Sequence, residues 1–86
     1  MELWDPFDSL VDWERRENPS DAQWLLVREF IATVGSLDPT RHFVAIPGSP
    51  GRYEVKVPGT SIFLDLFHFA EVDQISVERI ERGTGF

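Results

Sequence analysis

The apolar residues of this chain change their period part-way along it, and that change limits the fold more than any other feature. Before Asp38-Pro39, Leu26, Val27, Phe30, Ile31 and Val34 recur three and four apart, the spacing that lines one side of a helix. After it, Tyr53, Val55 and Val57 alternate with Arg52, Glu54 and Lys56, the two-residue period of a strand with one face in the core and one in water. Helices followed by strands predict an α+β fold, with an N-terminal helical hairpin packed on a C-terminal antiparallel sheet of three or four strands. Eighty-six residues supply one core, so residues 1–86 are expected to form a single domain.

Punctuation places the elements. Asp5-Pro6-Phe7-Asp8 and Asn18-Pro19-Ser20-Asp21 each set a capping side chain before a proline, with an acid two residues on to oppose the helix dipole. Helices are therefore predicted over residues 6–16 and 19–34, with Gly35 as the left-handed residue ending the second. On the first helix Phe7, Leu10, Val11 and Trp13 gather towards one side, and Asp8, Asp12 and Arg15 share the other. Residues 42–46 read as a short edge strand, and Pro47-Gly48-Ser49-Pro50-Gly51 as a loop. Pro58-Gly59 fits a type II turn joining the strand at residues 52–57 to a central one at 61–70. There Phe63, Phe67 and Phe69 lie on one face and Ile62, Leu64 and Leu66 on the other. A polar turn over residues 71–74 leads to a last strand over 75–82, and residues 83–86 read as a loose tail.

Composition removes several classes of function. The chain has no cysteine, so thiolate zinc sites, disulfides and cysteine nucleophiles are excluded. His42 and His68 are too far apart in sequence for a helical or hairpin metal pair, and no metal or cofactor is expected. No apolar run approaches a membrane span and residues 1–6 are acidic rather than basic, so a cytoplasmic protein without membrane contact is expected. The net charge of −7 argues against general coating of nucleic acid. That charge is uneven: residues 1–40 carry nine acids against three arginines, a balance of −6, whereas residues 41–86 carry −1. The acidity belongs to the helical half, either as a solvated face or as a surface that mimics nucleic acid.

Few residues are placed for chemistry. His68 is either a hydrogen-bonded sheet residue or a general acid or base at the end of the central strand. Asp65 shares a face with Phe63 and Phe67 and needs a partner such as Arg79 if buried; a structural ion pair and a catalytic carboxylate are the two readings. Trp4, Trp13 and Trp24 read as helix–sheet packing rather than stacking platforms for bases. Phosphate-loop and nucleophile-elbow motifs are missing. Arg52 and Lys56 point the same way from one strand, about 13 Å apart by strand rise. With Arg79 and Arg82 from the last strand they form a candidate phosphodiester site. The competing reading has Glu54, Glu78 and Glu81 pair those cations across the sheet.

The run Gly51-Arg52-Tyr53-Glu54-Val55-Lys56-Val57-Pro58-Gly59-Thr60-Ser61-Ile62-Phe63-Leu64-Asp65-Leu66-Phe67, followed by a polar turn and Ile75-Ser76-Val77-Glu78-Arg79-Ile80, resembles the C-terminal sheet of the RelE/ParE toxin superfamily. Trp4-Asp5-Pro6 is similar to that family's short first strand turning into a helix through a proline, and implies a strand over residues 2–4 at the sheet edge. The resemblance implies a small toxin neutralised by a partner antitoxin. Its branches act on translation by mRNA cleavage on the ribosome, or on DNA gyrase. In the ribonuclease branch, strand cations share the work with a C-terminal Tyr or His. Arg52, Lys56, Arg79 and Arg82 fall on matching strands, with His68 as the nearest imidazole. The chain departs from that pattern in having no Tyr or His after His68. The alternative expectation is a non-catalytic acidic interaction protein, a phage or plasmid inhibitor that occupies a host nucleic-acid enzyme with Asp8, Asp12 and Glu17.

Overall fold

The computed structural model describes residues 1–83; of the expected tail, residues 84–86 lie outside the described residues. The order of elements is β1 (Glu2–Leu3), α1 (Phe7–Glu17), α2 (Asp21–Val34), a short α3 (Pro39–His42), β2 (Val44–Ala45), β3 (Arg52–Lys56), β4 (Ile62–Phe69) and β5 (Gln74–Arg82). The fold is α+β as the period change predicts. The sheet corrects the expected count and pairing: it has five strands in the order β1-β5-β4-β3-β2, and it is mixed, because β1 runs parallel to β5 while the other pairs are antiparallel. The edge strand implied over residues 2–4 is present at Glu2–Leu3; a two-residue strand is too short for its own alternation to be read, and its parallel direction comes only from the pairing Glu2↔Gln74 and Leu3↔Ile75.

The caps also differ from expectation at three points. Asp5 does not occupy the cap position but accepts from the Phe7 amide at 3.0 Å, so its carboxylate still serves a free first-turn donor. Asn18 closes α1 in the left-handed conformation (φ 44°), and Ser20 instead caps α2 by accepting from the Gln23 amide. One polar residue ends a helix and the next begins another, which puts both ends within three residues. Gly35 is right-handed (φ −63°). Its lack of a side chain serves packing, since a Cβ there would sit 2.8 Å from the Met1 carbonyl oxygen. The Pro58-Gly59 turn does form as read: Gly59 has φ 78° and the Thr60 amide donates to the Val57 carbonyl.

The helices cover one face of the sheet. Trp13 from α1 and Val27, Ile31 and Val34 from α2 are buried with Ile62, Leu64 and Leu66 of β4 and Ile75, Val77 and Ile80 of β5. Burying these three β5 residues together requires an irregularity, because 75 and 77 are two apart but 77 and 80 are three apart. The strand supplies it. Asp65 pairs with Arg79 but Leu66 pairs with Val77, so Glu78 is an extra residue that resets the alternation.

Beyond its two-residue pairing with β1, the outer edge of β5 is closed by side chains of α1. Ser9 donates to the Val77 carbonyl at 2.5 Å, Arg16 Nη2 donates to the Ile80 carbonyl at 2.5 Å, and Glu17 accepts from the Arg82 amide at 3.0 Å. These contacts satisfy backbone groups that a further strand would otherwise take. They also correct the reading of α1: its sheet-facing side is the Ser9–Trp13–Arg16–Glu17 side, and Phe7 stands 64% exposed.

Candidate functional site on the open sheet face

The face of the sheet away from the helices is covered by no other described element. Strand alternation places Arg52, Glu54 and Lys56 of β3 on it, beside Phe63, Asp65, Phe67 and Phe69 of β4. Past the bulge it adds Arg79 and Glu81 of β5. Cross-strand rows run Lys56–Phe63–Glu81, then Val44–Glu54–Asp65–Arg79, then Arg52–Phe67–Ser76. The aromatic stripe continues to Trp4, whose ring stacks on Phe69 at 4.8 Å and 8°. Phe69 meets Phe67 at 4.7 Å, and the Trp4 indole donates to Gln74 Oε1 at 2.6 Å. Trp4 is thus a surface residue, 47% exposed, and not a helix–sheet packing residue as expected, whereas Trp13 is fully buried.

Of the five residues singled out from the sequence, the structure gathers Arg52, Lys56 and Arg79 and separates Arg82 and His68. Arg79 and Arg82 are three apart on a strand, which places them on opposite faces. Arg82 pairs with Ile62, whose side chain is buried on the helix side, and lies with Arg16 and Glu17 at the end of α1. His68 pairs with the buried Ile75 and faces the helix side as well. Its Nε2 lies 3.3 Å from Asp73 Oδ1, across the turn that joins β4 to β5, and its amide donates to the Gly51 carbonyl at 2.8 Å. The hydrogen-bonded sheet reading of His68 is the one its contacts match.

The cations of the open face stand among carboxylates. Arg52 lies 3.6 Å from Asp65, and Arg79 Nε donates to Glu81 at 3.0 Å, so the expected Asp65–Arg79 pair is replaced by two others. Lys56 has no carboxylate within ion-pair distance among the described residues. Asp65 is directly opposite Glu54, and its Oδ1 is buried without a hydrogen-bond partner. Like charges facing one another with a bare acceptor between them leave a surface whose polar groups are not fully satisfied within the chain. The face therefore offers aromatic rings flanked by pairable charges of both signs, not a concentrated positive field. Among the described residues no cluster of three or more His, Asp or Glu side chains could hold a metal ion, and no helix is long and apolar enough to cross a membrane.

Comparison with protein-family models, with curated proteins and with solved structures finds no match for this chain. The sequence had assigned Phe63, Phe67 and Phe69 to one face. It did not reveal that this face is open, because a phenylalanine-rich face normally points into a core. The available signal was the three-residue step from Val77 to Ile80, which fixes the phase of β5 and hence which of its arginines joins β3 and β4.

Proposed function

We propose that the protein is a RelE/ParE-like toxin of a two-component toxin–antitoxin system, and that it acts by binding a macromolecular target through the open sheet face rather than by cutting mRNA. The observation that carries this reading is the joint presence of Arg52, Lys56, Arg79 and the Trp4–Phe69–Phe67 stripe on the one sheet face that no helix covers. Aromatic anchors among arginines are the composition of protein-binding hot spots. A short first strand leading through Pro6 into α1 and pairing beside the last strand also accords with the resemblance in residues 51–80. The binding branch is preferred over the ribonuclease branch because the face holds no imidazole or phenol among the described residues: His68 and Tyr53 alternate onto the other side. A gyrase-type protein target, with an antitoxin as neutralising partner, fits that better than the ribosome.

The acidic-inhibitor reading has less support, since two of its three carboxylates are engaged within the fold. Asp12 pairs with Arg16 at 2.7 Å, and Glu17 serves Arg16, the Trp13 indole and the Arg82 amide.

The test is induced expression of the protein alone, read as growth, RNA integrity and DNA synthesis. Arrest with intact mRNA and halted DNA synthesis, relieved by the Arg52→Ala/Lys56→Ala double variant, is the expected outcome. Unimpaired growth would remove the toxin reading, and mRNA cleavage during arrest would replace the binding branch by the ribonuclease branch.

A further inference from the structure

The aromatic stripe of the open sheet face ends in a cleft of about 510 Å³ between the β2–β3 loop and the β4–β5 turn, whose lining includes Gly51, Phe67, His68, Phe69, Glu71 and Val72. The chain's own hydrogen bonds fix both walls: the Arg52 amide donates to the Ser49 carbonyl at 3.0 Å, the His68 amide to Gly51 at 2.8 Å and the Val72 amide to Phe69 at 3.2 Å. Gly51 lets the loop lie close to the sheet, because its φ of 85° suits glycine and a Cβ there would sit 3.2 Å from Phe67 Cζ. The Phe67 and Phe69 rings, inclined at 54° with centres 4.7 Å apart, make a corner rather than a flat floor. Val72, 61% exposed, extends the apolar rim. The charge in this cleft is unbalanced: Glu71 is the one carboxylate that lines it, and no lysine or arginine does. Among the described residues no cation lies within ion-pair distance of Glu71, and the His68 imidazole on the same wall is turned to Asp73 at 3.3 Å.

We propose that this cleft takes an arginine side chain of the target protein, its stem and guanidinium plane against Phe67 and Phe69 and its charge at Glu71. Shape and charge together decide the class of occupant. An acidic side chain would meet Glu71 with no lining cation to offset it. A wholly apolar one would fill the corner but take a carboxylate out of water without a partner, which is costly. A guanidinium suits both walls, since it stacks on aromatic rings and pairs with a carboxylate through its N–H fork. The inference deepens the reading of the open face as a target-binding surface, and rests on that reading only for the source of the arginine.

The probe is acetyl-arginine amide, titrated through the millimolar range into the isotope-labelled full-length protein and read from backbone amide resonances. It is compared with acetyl-citrulline amide, its uncharged isostere, and with the norleucine and glutamate analogues. We expect saturable shifts at Gly51, His68, Ala70, Glu71 and Val72, binding of citrulline weaker by about five- to twenty-fold, and none of glutamate. Glu71→Gln should leave Tm unchanged, weaken the arginine probe by about two- to five-fold and leave the citrulline probe unaffected. Phe67→Leu keeps an apolar wall and removes the ring, so it should weaken the arginine probe by about two- to five-fold and spare norleucine. Equal binding of arginine and citrulline, an arginine affinity unmoved by Glu71→Gln, shifts centred outside the cleft, or no saturable shift would each overturn the proposal. Growth arrest on expression is scored separately: arginine binding by a chain that causes no arrest keeps the cleft and removes the toxin reading, and arrest by a chain that binds no arginine does the reverse.

Discussion

Replacing Arg16 by methionine separates the closing of the β5 edge from the rest of α1. Methionine keeps most of the aliphatic stem over the sheet and removes only the guanidinium, which otherwise donates to the Ile80 carbonyl, to Asp12 at 2.7 Å and to Glu17 at 3.3 Å. A hydrogen bond from a charged donor contributes about 1.5–3 kcal/mol, and the lower end applies here because the Arg16 side chain is still 28% exposed. The exposed i,i+4 pair with Asp12 adds roughly 0.3–0.5 kcal/mol. The sum is about 2 kcal/mol, a large share of the roughly 4–13 kcal/mol expected for a domain of this size. Thermal denaturation should show Tm lowered by about 8–16 °C, and urea denaturation a lower midpoint with an unchanged slope. Asp12→Asn, which breaks only the surface pair, should cost about 0.5 kcal/mol or less. If Arg16→Met costs under about 0.5 kcal/mol, or if Asp12→Asn accounts for its whole effect, side-chain closure of the strand edge is not a stabilising feature.

The bulge, the two sheet faces and one helix cap give further tests. Deleting Glu78 leaves Ile75, Val77 and Ile80 in one alternating phase and loses the Ser76–Glu78 hydrogen bond of 2.7 Å, so a cost of about 1 kcal/mol is expected by urea denaturation. Inserting an alanine after Val77 instead either keeps the bulge and drives Ile80 to the open face, or irons it out and turns Glu78 into the core opposite Leu64; each should cost roughly 2–5 kcal/mol, or prevent folding, visible as lost near-ultraviolet circular dichroism. The neighbours Leu66 and Phe67 face opposite ways: Leu66→Ala should destabilise by about 3 kcal/mol while Phe67→Ala costs about half that or less. Equal losses at the two positions would mean that the Phe67 face is covered. Hydrogen bonds from the Thr40 hydroxyl and amide hold the Asp38 carboxyl below its ordinary value. Its contribution to stability is therefore present above the unfolded-state pKa and is lost as pH falls through the lower folded one. Carboxyl NMR titration should give a depressed midpoint that rises in Thr40→Val; an unmoved midpoint would show that the hydroxyl is not the cause.

Legibility in the sequence tracked how local each feature is. The helix at 21–34 and the strand at 62–69 were readable because their burial repeats at the period of their own backbone, and the Pro58-Gly59 turn because its backbone angles are set by its two residues. Ser20 takes the capping role expected of Asn18, which instead ends α1, because either side chain can cap and two residues of chain geometry choose between them. Gly35 showed the opposite ambiguity: a glycine after a helix usually supplies a left-handed end, but here it makes room for Met1, 34 residues away at the start of the edge strand. Arg79 and Arg82 looked like partners because both are basic and both lie on β5. The bulge at Glu78 and the odd spacing between them send one to the open face and the other to the end of α1.

The sequence by itself determined the class of elements, the single core and the split between an acidic helical half and a nearly balanced sheet half, since periodicity, length and charge are properties of the chain in order. Tertiary structure alone decided the parallel edge strand, the closing of β5 by Ser9, Arg16 and Glu17, the opening of the aromatic face and the cleft between the β2–β3 loop and the β4–β5 turn. Each of these depends on which surfaces meet across long separations in sequence. A face rich in phenylalanine has the same alternation whether a helix covers it or a partner does, and only the placement of the helices tells the two apart.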